Sequence, residues 1–421
     1  MKILLVEPAF PIPPKSKNHK NFLPIGLLKL HDYYKSKGLK TKLVRGNKSK
    51  SEIGTRFKPD LIMITSLFTY WSQYVWDSVK FYRDNYPTAL ITIGGIYASL
   101  MGDQPDFKRK LRKYNAGVFF GIHKGAEKYA NNHTLDYSIL SNPSPIDYQI
   151  IHTTRGCPRN CEFCGTWKIE PKFESKKSIR NEIIKRKIVF YDNNLLKSQY
   201  IEGILNELIT LKQEKKILWC ESQSGFDGRV LKEKPYLGEM LKKAGFRYPR
   251  IAWDWRYDQF KEIKEQVDIL VSGGYNFKDI YIFVLYNWDI PFEEMERKRI
   301  KSLDWGVQIA DCRYRPLDQT FDNYNPRKEQ TDKDYHIHTE VGWTDALVKQ
   351  FRKNVRRQNI CVRHGFPFYS KSFEHKSVKK EAMRAVKRMK TKGEKINYLQ
   401  QIKADYWSPD EITYPDGQNA K

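Results

Sequence analysis

The stretch TTRGCPRNCEFCGTW, residues 153–167, sets Cys157, Cys161 and Cys164 in a CxxxCxxC spacing, with an aromatic, Phe163, immediately before the last cysteine. Three soft thiolates this close suit three irons of a cubane iron-sulfur cluster, whereas a closed structural zinc or iron-sulfur site takes four protein ligands. One iron is then left open. The other readings of three neighbouring cysteines are half of a zinc site, a disulfide nest and free thiols. Cys220, Cys312 and Cys361 lie far apart and belong to no CxxC or HxxxH unit, so only a distant fourth ligand would complete a zinc site. The opening MKILLVEPAF holds too short an apolar run for a signal peptide, and six cysteines in 421 residues is ordinary usage for a reducing compartment, so disulfides are not expected.

Upstream of the motif, QIIHTT reads as a strand that delivers the chain into the cysteine loop. Downstream, KIVFYDNNL, ILWCESQS, RIAWDW and DIYIFVLYN read as strands separated by helical segments at residues 199–214, 235–244 and 260–273. Such regular alternation predicts a parallel barrel or partial barrel. Residues 1–130 alternate as well: KILLVEP, TKLVRG, DLIMITSLF, ALITIGG and GVFFG are strand-like, with helices expected at 25–37 and 72–85. That pattern predicts a doubly wound α/β domain, and Gly94-Gly95 frees the backbone at a strand's carboxyl end, where ligands of open sheets bind. Residues 131–148, rich in Asn, Ser, Pro and Asp, read as a linker, and residues 321–421 as a basic, mainly helical C-terminal extension.

CxxxCxxC after a short strand resembles the signature of the radical SAM superfamily. LPIGLLKL (residues 23–30) and IGGIYASLMGD (residues 93–103) resemble the class that carries a Rossmann-like, cobalamin-binding domain ahead of the core. The resemblance covers most of residues 1–320 and implies a six-stranded partial (β/α)6 barrel at 149–320. Two departures matter. Tyr97 stands where that class often has histidine, and no DxHxxG string occurs, since His19, His31 and His123 lie in other contexts. Cobalamin held through a lower axial histidine is therefore not expected, while cobalamin held without one stays open.

The resemblance implies that Cys157, Cys161 and Cys164 hold a [4Fe-4S] cluster that binds S-adenosylmethionine, with Arg155 and Gly156 shaping the loop and Phe163 bordering the adenine. Family members grip the methionine amino group with a GGE-like segment, and FYDNNLL stands in that place, offering Asp192, Asn193 and Asn194; the bland alternative is an Asx turn. CESQSGFDGR resembles the ribose and carboxylate contacts, with Ser222 and Gln223 at a strand end. Arg229 pairs there either with the methionine carboxylate or with Asp227. Asp254 and Asn287 end apolar runs and are candidates to face substrate. Trp253, Trp255, Tyr286 and Trp288 flank them, as walls that exclude water or as plain core. CRYRPLDQ resembles the close of the core, with Arg313 and Arg315 on one strand face and Cys312 buried and inert. No catalytic residue is assigned.

Lys and Arg number 75 against 49 Asp and Glu, a net charge of +26 that suits a nucleic-acid or nucleotide partner or simply solvates the surface. Phe351, Arg352, Arg356, Arg357, Arg363 and His364 mix basic and aromatic types, a blend suited to phosphates and base stacking, and KSVKKEAMRAVKRMKTKGEK is a second basic stretch. No apolar run reaches a membrane span, so a cytoplasmic protein is expected. The resemblance implies an enzyme that reductively cleaves S-adenosylmethionine to a 5′-deoxyadenosyl radical and modifies an unactivated carbon. The reaction would be methylation if cobalamin binds and rearrangement or another modification otherwise, with a flavodoxin- or ferredoxin-like one-electron reductant. The rival is a basic nucleic-acid-binding protein with a structural metal site and no catalysis.

Overall fold

The computed structural model describes residues 1–12, 23–140 and 146–365, with scattered positions between 381 and 415. His19 and residues 376–380, 382, 383 and 392 of the second basic stretch lie outside the described residues; within that stretch residues 384–388 are helical. The chain is mixed α/β with parallel sheets. Its contacts divide it into two units, Met1–Ser224 with Arg315–Asn323, and Gly225–Tyr314 with Tyr324–Lys421.

The first unit begins β1 (Lys2–Glu7), α1 (Ile25–Ser36), β2 (Lys40–Arg45), α2 (Lys50–Ile53), β3 (Leu61–Ser66), α3 (Ser72–Asn85), β4 (Leu90–Gly95), α4 (Ile96–Met101), α5 (Pro105–Lys113), β5 (Ala116–Val118) and α6 (Lys124–Asn132). The five strands form one parallel sheet in the order β2-β1-β3-β4-β5. Alternate residues of β1 enter different cores: Leu4 and Val6 pack with Val75, Trp76 and Val79 of α3, whereas Ile3 and Leu5 pack with Leu27 of α1. Burial on both faces explains why β1 reads as a continuous apolar run rather than an alternating one. Gly95 takes φ +96, and a Cβ there would fall 2.1 Å from the Ser66 carbonyl oxygen, so only glycine lets β4 and β3 approach at their carboxyl ends.

The same unit continues with β6 (Tyr148–Ile151), β7 (Thr154–Arg155), α7 (Thr166–Ile169), β8 (Glu174–Ser175), β9 (Lys187–Phe190), α8 (Ile201–Gln213) and β10 (Trp219–Ser222). A parallel sheet runs β10-β9-β6, while β7 and β8 pair antiparallel. The stretch read as a linker is tied to this sheet, because Tyr137 is buried and its hydroxyl accepts from the Ile150 amide at 3.2 Å. The boundary between units falls instead after Ser224.

The second unit holds α9 (Gly228–Glu233), α10 (Leu237–Lys243), β11 (Arg250–Ala252), α11 (Phe260–Ser272), β12 (Tyr281–Tyr286), α12 (Phe292–Asp304), β13 (Gln308–Arg313) and α13 (Asp345–His364). Its three strands are parallel in the order β11-β12-β13. Along α13 the apolar stripe buries Val348, Phe351 and Val355, with Phe351 against the Tyr286 ring at 5.1 Å, and leaves Arg352, Arg356, Arg363 and His364 exposed. The basic-aromatic blend expected for base stacking thus resolves into a core phenylalanine and solvated charges, as helical periodicity requires.

Candidate functional site: the cysteine loop at one sheet edge

Register places Ile151, Phe190 and Ser222 side by side at the ends of β6, β9 and β10. The segments that follow these strands therefore leave from one carboxyl edge, the edge where parallel α/β structures gather ligands. The cysteine loop follows β6, Asp192 to Asn194 follow β9, and Gln223 follows β10.

Cys157, Cys161 and Cys164 are free thiols, all partly exposed. The loop folds on itself, with the Cys164 amide donating to the Cys161 carbonyl at 3.0 Å and the Trp167 indole to the same carbonyl at 3.2 Å. The Arg159 amide at 3.5 Å and Asn194 Nδ2 at 3.8 Å donate to Cys157 Sγ, while the Cys164 thiol donates to Thr166 Oγ1 at 3.3 Å. Amide donors of this kind suit a thiolate that carries charge. Among the described residues the one trio of His, Cys, Asp or Glu ligand atoms within 4.8 Å of one another is His31, Asp32 and Asp136. That trio is closed by its own bonds, from Thr41 Oγ1 to His31 Nδ1, from the Asp136 amide to Asp32 at 2.7 Å and from Lys35 to Asp136 at 3.2 Å.

Two carboxylates hold the loop. Asp192 is fully buried, and its Oδ1 accepts from the Thr153 amide at 2.8 Å, the Thr154 hydroxyl at 2.9 Å, the Thr153 hydroxyl and the Thr154 amide. Burial pushes its pKa up against these four bonds. Glu170, just past α7, receives the Gly156 amide at 2.8 Å and Asn193 Nδ2 at 2.9 Å on Oε2, and the Arg155 guanidinium at 2.9 Å on Oε1. Gly156 itself takes φ +69, where a Cβ would lie 2.2 Å from the Lys172 carbonyl oxygen.

The other sequence candidates divide. Asn193 and Asn194 stand beside the cysteine loop, on Glu170 and Cys157, and Phe163 is half-buried within it. Asp192 clamps Thr153 and Thr154 through Oδ1, while its Oδ2 is buried and has no hydrogen-bond partner among the described residues. Ser222 is buried at the end of β10, and Gln223 donates to Glu221 at 3.0 Å. Arg229 is exposed in the second unit and pairs with Asp227 at 3.1 Å, the local pairing, where Asp227 also caps α9. Asp254, also in that unit, has its pKa raised to about 6 by burial, against the pull of Lys298 and Arg229. Asn287 does not face substrate: it is fully buried and bridges the His336 carbonyl and His338 amide at 2.9 and 3.0 Å. Trp253 and Tyr286 are core, while Trp255 is exposed. Arg313 is sandwiched by the rings of Tyr324 and Tyr335 at 4.6 and 4.7 Å. Arg315 lies beyond β13 on Asp322 and the Tyr70 ring, so the two arginines do not share a strand face. Cys312 is exposed rather than buried, because strand alternation points it away from the face of Ile309 and Arg313.

Sequence reasoning missed Glu170, Glu127, Lys29 and His152. A cavity of about 210 Å³ at the carboxyl edge of the N-terminal sheet is lined in part by Lys29, Gly95, Phe119, Glu127, His152 and Arg155. Ligand sites typically run to about 300–1,000 Å³ for drug-sized molecules, and a corrin is larger still. His123 offers no axial ligand, since its Nδ1 caps α6 on the Ala126 amide and its Nε2 meets the Tyr34 hydroxyl at 3.4 Å. Tyr97 points into the core and accepts from Trp76 Nε1 at 2.9 Å. Neither His123 nor Tyr97 therefore supplies a lower axial ligand for cobalamin.

No protein-family model and no curated protein matches the chain. No helix among the described residues is long and apolar enough to cross a membrane.

Proposed function

We propose that the chain is a radical SAM enzyme whose Cys157, Cys161 and Cys164 hold a [4Fe-4S] cluster with one iron open to S-adenosylmethionine. The observation that carries this reading is the presentation of three partly exposed thiols on one loop that leaves the carboxyl edge shared by β6, β9 and β10. A bound cluster of this kind supplies an electron to the sulfonium, giving methionine and a 5′-deoxyadenosyl radical that takes hydrogen from substrate. The protein's share is positioning. Asp192 and Glu170 fix the loop from its two ends, Asn193 braces Glu170, Asn194 offers its amide beside Cys157, and Ser222 and Gln223 stand at the neighbouring strand end to orient the nucleoside.

The parallel sheets β10-β9-β6 and β11-β12-β13 each carry the strand–helix alternation from which a partial barrel is read in the sequence. The reaction is methylation if cobalamin binds without an axial histidine, and otherwise hydrogen abstraction leading to rearrangement or another modification. The net charge of +26 favours an anionic substrate, a nucleic acid or nucleotide, in a cytoplasmic setting with a one-electron protein donor. Anaerobic reconstitution with iron and sulfide tests the site. The reduced protein should give an electron paramagnetic resonance signal whose g values shift when S-adenosylmethionine is added. Stoichiometric zinc with no such signal would favour the structural-metal reading.

A further inference from the structure

The cavity at the edge of the N-terminal sheet has a polar end whose hydrogen-bonding capacity the protein leaves partly unused. His152 is 6% exposed, lines the cavity, touches the Tyr191 ring edge-on at 6.3 Å and makes no side-chain hydrogen bond among the described residues. Burial, with the charges of Lys29, Arg155 and Lys176 adding to it, holds its pKa well below the ordinary value, so the ring is neutral and carries one donor and one acceptor. Arg155 Nε and Glu127 Oε1 are buried, each lacks a hydrogen-bond partner, and they stand 4.0 Å apart, too far to satisfy one another. The remaining valences are spoken for: Lys29 binds Glu127 Oε2 at 2.7 Å and Arg155 Nη2 binds Glu170 at 2.9 Å.

Charge at this end balances, Lys29 and Arg155 against Glu127 and Glu170, so an anion gains little there. Buried unsatisfied polar atoms in a native structure call for a partner. What the pair lacks is complementary to a molecule with an N–H beside a carbonyl or ring nitrogen. The other walls, Ile25, Leu30, Ile96 and Phe119, are apolar and flank the space, and the volume of about 210 Å³ admits a single small ring system.

We propose that this cavity binds a small neutral heterocycle with an adjacent donor and acceptor, of the size of a free nucleobase. Glu127 Oε1 takes the ligand's N–H, Arg155 Nε donates to its acceptor, and His152 reads the next position. Arg155 precedes Gly156 and Cys157 and shares Glu170 with the Gly156 amide, so the ligand's occupancy is felt by the cysteine loop. The inference stands on the cavity alone and holds whichever metal the cysteines carry.

Calorimetry and saturation-transfer NMR on the full chain test it, with cytosine and hypoxanthine as neutral probes and benzoate, inorganic phosphate and hydroxocobalamin as competitors. One neutral heterocycle should bind with one-to-one stoichiometry and Kd of about 1 mM or tighter, the range open to so small a ligand. Ile96→Trp, which fills the cavity from a partly exposed wall position, should abolish binding, and Glu127→Gln and His152→Phe should each weaken it at least tenfold. Circular dichroism of each variant distinguishes lost binding from lost fold. Absence of binding by both heterocycles, binding unchanged in folded Ile96→Trp, or preferential binding of benzoate, phosphate or hydroxocobalamin would overturn the proposal.

Discussion

Replacing Asp192 with alanine should loosen the cysteine loop without unfolding the sheet that carries it. Oδ1 of this buried carboxylate is the partner of two buried amides, those of Thr153 and Thr154, and of their two hydroxyls. Each amide left without a partner costs about 1–3 kcal/mol, while the hydroxyls rotate to other acceptors, so the local penalty is about 2–6 kcal/mol. At 1.4 kcal/mol per tenfold, exchange of the Thr153 and Thr154 amides should accelerate by roughly 30-fold to 10⁴-fold. Asp192→Asn keeps an acceptor and loses only the charge assistance, so it should fall between wild type and alanine. The assay is hydrogen exchange by mass spectrometry on peptides covering residues 148–157, with peptides from α8 as internal control, alongside iron content after reconstitution. Alanine should lower iron content in step with lost protection. Unchanged exchange at residues 153 and 154 in Asp192→Ala would refute the assignment of Asp192 as the clamp on the loop.

Gly156→Ala should also cost iron, because it meets the Lys172 carbonyl at 2.2 Å in a positive-φ position; measured iron per chain should drop at least severalfold while Cys312→Ala leaves it unchanged. Lys298, fully buried and donating to the Trp253 carbonyl at 3.1 Å and to that of Trp255, has its pKa lowered to about 8 from 10.5, chiefly by burial. Between those values the unfolded chain holds the proton and the folded chain does not. Stability should therefore rise with pH above about 8, by up to about 3 kcal/mol, and urea midpoints should show this rise in wild type but not in Lys298→Met. If the charge of +26 serves a nucleic acid, retardation of single-stranded DNA or RNA at low salt should weaken steeply as salt increases; no retardation at low salt would dismiss that substrate class.

The strands were legible because apolar, β-branched runs such as KILLVEP and DIYIFVLYN carry their own signal, and the structure sets strands at Lys2–Glu7 and Tyr281–Tyr286 within them, whereas KIVFYDNNL and RIAWDW end as strands at Phe190 and Ala252. The cysteine loop was legible because its ligand spacing is local. What escaped reading was everything assembled across distance: Lys29 meets Glu127, Glu127 faces Arg155, and Arg155 meets Glu170, contacts that no periodicity or motif encodes. Polar strand ends were read too generously. Asp192 and Asn287 look like ligands in sequence, yet Asp192 Oδ1 and the Asn287 amide are taken up largely by backbone groups, because a chain leaving a parallel sheet must satisfy its own amides and carbonyls first; Asp192 Oδ2 is left without a hydrogen-bond partner among the described residues. Cys312 shows the reverse error, since cysteine's general tendency toward burial gave way to strand alternation.

The most direct test of the central claim is chromatographic detection of 5′-deoxyadenosine after the anaerobically reconstituted protein is reduced with dithionite in the presence of S-adenosylmethionine. The account predicts product from wild type and none from Cys157→Ala, Cys161→Ala or Cys164→Ala. Absence of 5′-deoxyadenosine from wild type carrying its full complement of iron would contradict it.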